Sequence, residues 1–165
     1  MNTTSDSVSR EQVLALLRGG NAHMPFDEAV ADFPLDRIND RAPNVSYSPW
    51  QLLEHIRITQ EDILEFTRDP DWVSPSWPEG HWPAPDEEAD PARWTATINA
   101  IRRDLEAMQA LVADPANSLT DDLPHAPGYT LLREALLVAD HNAYHIGEFA
   151  ILRQIMGTWP VDRAG

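Results

Sequence analysis

His141 and His145 stand four residues apart in Asp140-His141-Asn142-Ala143-Tyr144-His145, inside a stretch with helical periodicity. Side chains at that spacing lie on one helix face about 6 Å apart at Cβ, so both imidazoles can reach one metal ion. A third ligand has to come from another element. His55 is the best placed, because it falls in a second amphipathic stretch beside Leu52 and Ile56. Taken alone, an H-x-x-x-H pair is also what two half-buried polar side chains look like. Three neutral imidazoles would leave one position of a tetrahedral ion open, the feature that separates catalytic from structural zinc sites. H-N-A-Y-H lacks the glutamate that follows the first histidine of H-E-x-x-H, so the metalloprotease mechanism has no base here. Glu148, three residues after His145, projects near the same face as a partner of the imidazole, an additional ligand or a proton acceptor; a solvent-facing glutamate is the alternative. Asp62 lies two turns beyond His55, about 10 Å along the helix, and reads as a pocket wall or a surface group. Asp140 points about 100° away from His141 and reads as a helix-packing residue. His23, His81 and His125 fit no ligand spacing, although His81 reaches the site if its loop folds over it.

Composition removes much other chemistry. The 165 residues contain no cysteine, which excludes disulfides, zinc fingers, iron–sulfur clusters and thiol nucleophiles. All twelve basic residues are arginine, so Schiff-base lysines and the P-loop lysine are absent as well. The seven glycines supply neither G-x-G-x-x-G nor G-x-S-x-G. A net charge of −15 repels phosphate backbones and argues against a nucleic-acid partner. No run of 18 apolar residues and no signal-peptide pattern is present, so a soluble, cytoplasmic protein without a membrane partner is expected.

Four helical segments must position these histidines within what reads as a single domain over 1–165. The first is expected to open on the capping-box pattern Ser9-Arg10-Glu11-Gln12, leaving residues 1–8 as a flexible lead, and to resume after Gly19-Gly20 toward Val30. The second starts at Ser48-Pro49-Trp50-Gln51, a serine cap with proline at the first helical position, and stops at Asp69-Pro70. The third opens at Asp90-Pro91 and carries apolar residues at alternating steps of four and three from Trp94 to Val112. The fourth runs from about Thr130 to Gly157. No strand signal competes. Residues 69–90, with Trp72, Trp77, Trp82 and five prolines, read as a loop. It is long enough to cross the fold, which permits the second and third helices to run parallel, and to cover a site.

The stretches Ser48-Pro49-Trp50-Gln51-Leu52-Leu53-Glu54-His55-Ile56, Ala139 to Glu148 and Gly157-Thr158-Trp159-Pro160 together resemble the DinB-like (DinB/YfiT) superfamily of metal-dependent enzymes over nearly the whole chain. The first resembles that family's tryptophan-then-histidine pattern on helix two, and the second its H-x-x-x-H on helix four. The resemblance implies an all-α, four-helix bundle of up-down-down-up topology. It also implies a divalent metal, zinc first and nickel or iron as alternatives, on His55, His141 and His145. Glu148 stands where the family more often has glutamine. Characterised relatives include isomerases and S-transferases that use a low-molecular-weight thiol, which implies a small-molecule substrate and thiol activation; a metal-dependent hydrolase or a non-catalytic metal-binding stress-response protein are the alternatives. Family members often pair, so a homodimer is expected.

Overall fold

The computed structural model describes residues 3–160 and is mostly helical. In chain order it contains α1 (Thr3–Arg18), α2 (Phe26–Val30), α3 (Pro49–Arg68), α4 (Pro91–Ala113), a two-stranded ribbon of β1 (Asp122–Leu123) and β2 (Ala126–Thr130), and α5 (Leu131–Met156). Helix α3 packs against α4 and α5, as does α1.

Local chemistry explains most boundaries. The Ser48 hydroxyl accepts from the Gln51 backbone N–H (3.2 Å) while the Gln51 side chain accepts from the Ser48 N–H (3.0 Å), with Pro49 at the first position of α3. Asp90 caps α4 through the Arg93 N–H at 2.7 Å, and Thr130 caps α5 through the Arg133 N–H at 3.1 Å. Gly157 closes α5 in the left-handed region, φ 63°.

Two expectations are corrected at the first helix. It begins at Thr3 rather than Ser9, so the expected flexible lead is helical from residue 3; residues 1 and 2 lie outside the described residues. Ser9 sits inside the helix and donates to the Ser5 carbonyl (2.9 Å), an alternative that a serine hydroxyl always has to capping. Arg10 is buried and donates to the carbonyls of Val112, Asp114 and Asn117, tying α1 to the end of α4. The helix then ends instead of kinking, because Gly19 and Gly20 take φ of +68° and +80°, and α2 is a separate short helix. The ribbon is a further departure. Its strands pair antiparallel with Asp122 opposite Thr130 and Leu123 opposite Ala126, and segments this short carry no readable alternation.

The apolar interior falls into two clusters. One gathers Trp50, Leu52, Ile56, Trp94, Ile101 and Phe149; the other gathers Leu17, Leu64, Met108, Val112 and Val138. On α5 the two histidines lie between Val138 and Phe149, and on α3 the residues Thr59 and Gln60 lie between Ile56 and Leu64. A polar layer therefore separates the clusters, and the site is in it.

Residues 69–90 connect α3 to α4 through one short 3-10 turn, Glu79–His81, and return alongside α3. Asp62 accepts from Trp72 Nε1 (2.7 Å) and faces His81 Nε2 (3.0 Å); the His81 carbonyl faces His55 Nδ1 (2.7 Å). Further on, the Gln51 amide donates to the carbonyls of Ala84, Pro85 and Glu87. Asp62, His55 and Gln51 thus hold successive parts of the loop against the helix.

Candidate metal centre

His55 projects from α3, and His141 and His145 project one turn apart from α5. Their donor nitrogens all lie within 4.8 Å of one another. His55 Nε2 is 3.1 Å from His145 Nε2 and 3.1 Å from His141 Nε2. Hydrogen bonding on the far side of two of the rings fixes what these contacts are. His55 Nδ1 faces a backbone carbonyl and His145 Nδ1 faces a Glu148 carboxylate oxygen at 2.6 Å, and both partners only accept. Each Nδ1 therefore carries the proton and each Nε2 presents a lone pair. Two lone pairs 3.1 Å apart repel unless a cation lies between them. Imidazole nitrogens bound at about 2.0–2.1 Å to one tetrahedral ion are about 3.3 Å apart. The donor set thus fits a divalent ion shared by the three histidines.

The surroundings orient the rings and oppose the charging of His55 and His141. His55 and His145 are buried, 3% and 8% exposed, and Trp82 stacks on the His55 ring with centroids 4.0 Å apart and planes within 4°. Burial, reinforced by the charges of His145 and His55, pushes the pKa of His141 down to about 3. His55 is also lowered, by burial first, against the opposing bond to the His81 carbonyl. Glu148 bridges two elements: one oxygen accepts from His145 and the other from the Tyr47 hydroxyl. Burial would raise the Glu148 pKa, but the bonds from His145 and Tyr47 outweigh it, and the carboxyl is held below its ordinary value. Tyr47 is raised, by burial and then by its bond to Glu148. A groove of about 310 Å³ opens beside this pair, bordered by Tyr144, Gly147, Ile151 and Ile155.

Several expected roles change. Asp62 is neither a pocket wall nor a free surface group; it latches the loop through Trp72 and His81. Asp140 is exposed instead of packed between helices. His81, which fits no ligand spacing, reaches the site because the loop folds over it, and it acts through its backbone carbonyl. Trp82 covers His55, whereas Trp77 is 74% exposed. His23 binds the Met24 carbonyl and His125 the Phe66 carbonyl, both apart from the cluster. Sequence reasoning missed Tyr47, Gln60 and Asn142. Tyr47 gives no spacing signal because its partner is 101 residues away; Asn142 lies inside the motif itself.

A model describing the DinB superfamily matches residues 21–149, well over half of the chain. Neither a curated protein nor a solved structure matches it.

Proposed function

The chain belongs to the DinB superfamily, and from that premise we propose that it is an enzyme holding one divalent metal, zinc first, through His55, His141 and His145, and joining a small thiol to an electrophilic substrate. The observation that carries the metal is the pair of 3.1 Å contacts between Nε2 atoms. When bound, an ion held by three neutral imidazoles supplies an open position and a charge that lowers the pKa of a thiol, or of water, placed there. The chain's own residues do the rest. Glu148 accepts the His145 N–H and keeps that ring's lone pair turned inward. Tyr47 occupies the second Glu148 oxygen, which fixes the carboxylate against rotation. Trp82 shields the His55 face from water. No cysteine exists in the chain, so a sulfur nucleophile has to arrive from outside.

The test is turnover of model electrophiles by the zinc-loaded protein, with and without mycothiol, bacillithiol or glutathione. Thiol-dependent turnover lost on metal removal is expected. Hydrolysis without thiol that disappears in His55→Ala would replace thiol transfer by the hydrolase reading. Activity indifferent to metal removal would contradict both.

An up-down-down-up bundle is part of the same proposal. Trp50 and Glu54 bond to Thr97, and Gln60 bonds to Ile101, contacts that ascend together along α3 and α4 and so support a parallel pair. A homodimer is proposed from the exposed apolar edge of α5, where Tyr144, Ile151 and Ile155 are 71%, 62% and 55% exposed.

A further inference from the structure

We infer that Asn142, itself held by Gln60, is the positioning residue of His141: its Oδ1 accepts the Nδ1–H of that imidazole and so commits the Nε2 lone pair to the metal. The inference rests on the metal reading above.

The argument starts from a group whose role is not adjustable. The Ile101 carbonyl only accepts, so the Gln60 atom 2.7 Å from it is the Nε2 donor. That fixes the Gln60 amide and points its Oε1 at Asn142. The Asn142 atom 2.7 Å from this oxygen is therefore its Nδ2 donor. Asn142 Oδ1 is left as an acceptor, buried and without a partner at hydrogen-bond geometry. On the preceding residue His141 Nδ1 is in the same condition. With its Nε2 turned to the metal, His141 carries the proton on Nδ1, so two successive residues hold a buried donor and a buried acceptor that both lack partners, and closing one on the other satisfies both. Adjacent helical side chains diverge, yet these two both reach across to α3, His141 to His55 and Asn142 to Gln60.

With this bond all three imidazoles donate through Nδ1, to a backbone carbonyl at His55, a carboxylate at His145 and an amide at His141. The polar layer between the apolar clusters then has a purpose. Gln60, 1% exposed, passes the fixed direction of the α4 backbone to a ligand on α5.

Zn²⁺ affinity, read by competition with a chromophoric chelator on the untagged full chain, tests this together with ¹⁵N spectra of the imidazoles. Asn142→Ala should weaken binding about 10- to 100-fold, the usual effect of removing a ligand's hydrogen-bond partner, and His141 should lose its uniform Nδ1–H tautomer. Asn142→Asp keeps an accepting oxygen toward His141 but loses the donor to Gln60, so it should preserve the Nδ1–H tautomer while recovering only part of the affinity. Thr59→Val, which removes the other orphaned hydroxyl of this layer, should change neither. Unchanged affinity and tautomer in Asn142→Ala, or their loss in Thr59→Val, would overturn the inference. If Asn142→Ala does not fold, Asn142→Asp decides it, because a shift of His141 away from the Nδ1–H form there contradicts the bond. A wild-type chain that binds no Zn²⁺ would end the metal reading, while the tautomer of His141 in the metal-free spectrum would still test the hydrogen bond.

Discussion

Each imidazole of the cluster is defined as much by what its Nδ1 meets as by the common point its Nε2 faces. Glu148 is the clearest case. Glu148→Ala removes the acceptor from the His145 N–H and should weaken Zn²⁺ binding about 10- to 100-fold, whereas Glu148→Gln retains an accepting oxygen and should cost less. Equal losses in the two variants, read by the same chelator competition, would show that the negative charge and not the hydrogen bond is what matters. Acid has a definite sign at this scale. The pKa values of His55 and His141 lie below the ordinary 6.5, so as pH falls the unfolded chain takes up protons before the folded chain does. Stability of the metal-free protein is unaffected by either imidazole above pH 6.5 and falls as pH drops below it, for His141 down to about pH 3, at no more than about 1.4 kcal/mol per pH unit for each imidazole. Urea midpoints measured between pH 7 and 4 check this, and His141→Gln should flatten the slope.

At the scale of elements, one carboxylate, Asp62, holds the Trp72 and His81 side chains of the loop over residues 69–90. Asp62→Ala removes the acceptor of both Trp72 and His81, and should accelerate amide exchange across residues 72–82 while protection in α3 and α5 persists. Unchanged exchange in the loop would mean that the Trp82 stack and the bonds from His55 and Gln51 suffice to secure it. Arg153 makes a comparable joint: fully buried, it donates to the carbonyls of Ala29, Ala31 and Thr158 at 2.7 Å each. Arg153→Met should lower stability by about 3 kcal/mol or more, visible as a lower urea midpoint. These joints mark where sequence reading stops. The starts of α3, α4 and α5 are legible because a cap and its partner lie within three residues. So is the histidine pair, because its spacing is helical. The start of α1 is misread because Ser9 satisfies itself on Ser5, and the ribbon is too short to show a period. The Asp62 latch, the Tyr47–Glu148 bond and the Gln60–Asn142 chain depend on residues 10 to 101 positions apart, which only the folded chain brings together.

For the whole molecule, a metal shared between α3 and α5, as proposed, would couple binding to stability. Free Zn²⁺ at about a thousand times its dissociation constant should add about 4 kcal/mol, provided the unfolded chain binds little. The proposed homodimer places the apolar edge of α5 at an interface, and sedimentation showing only an 18.5 kDa species at micromolar concentration would contradict it. The central claim is that His55, His141 and His145 together hold one ion, and the most direct test is elemental analysis of untagged protein after equilibration with Zn²⁺ and gel filtration. One zinc per wild-type chain is expected, with none retained by the His141→Ala, His145→Ala double variant and full occupancy in His125→Ala. Full occupancy in the double variant would contradict the account.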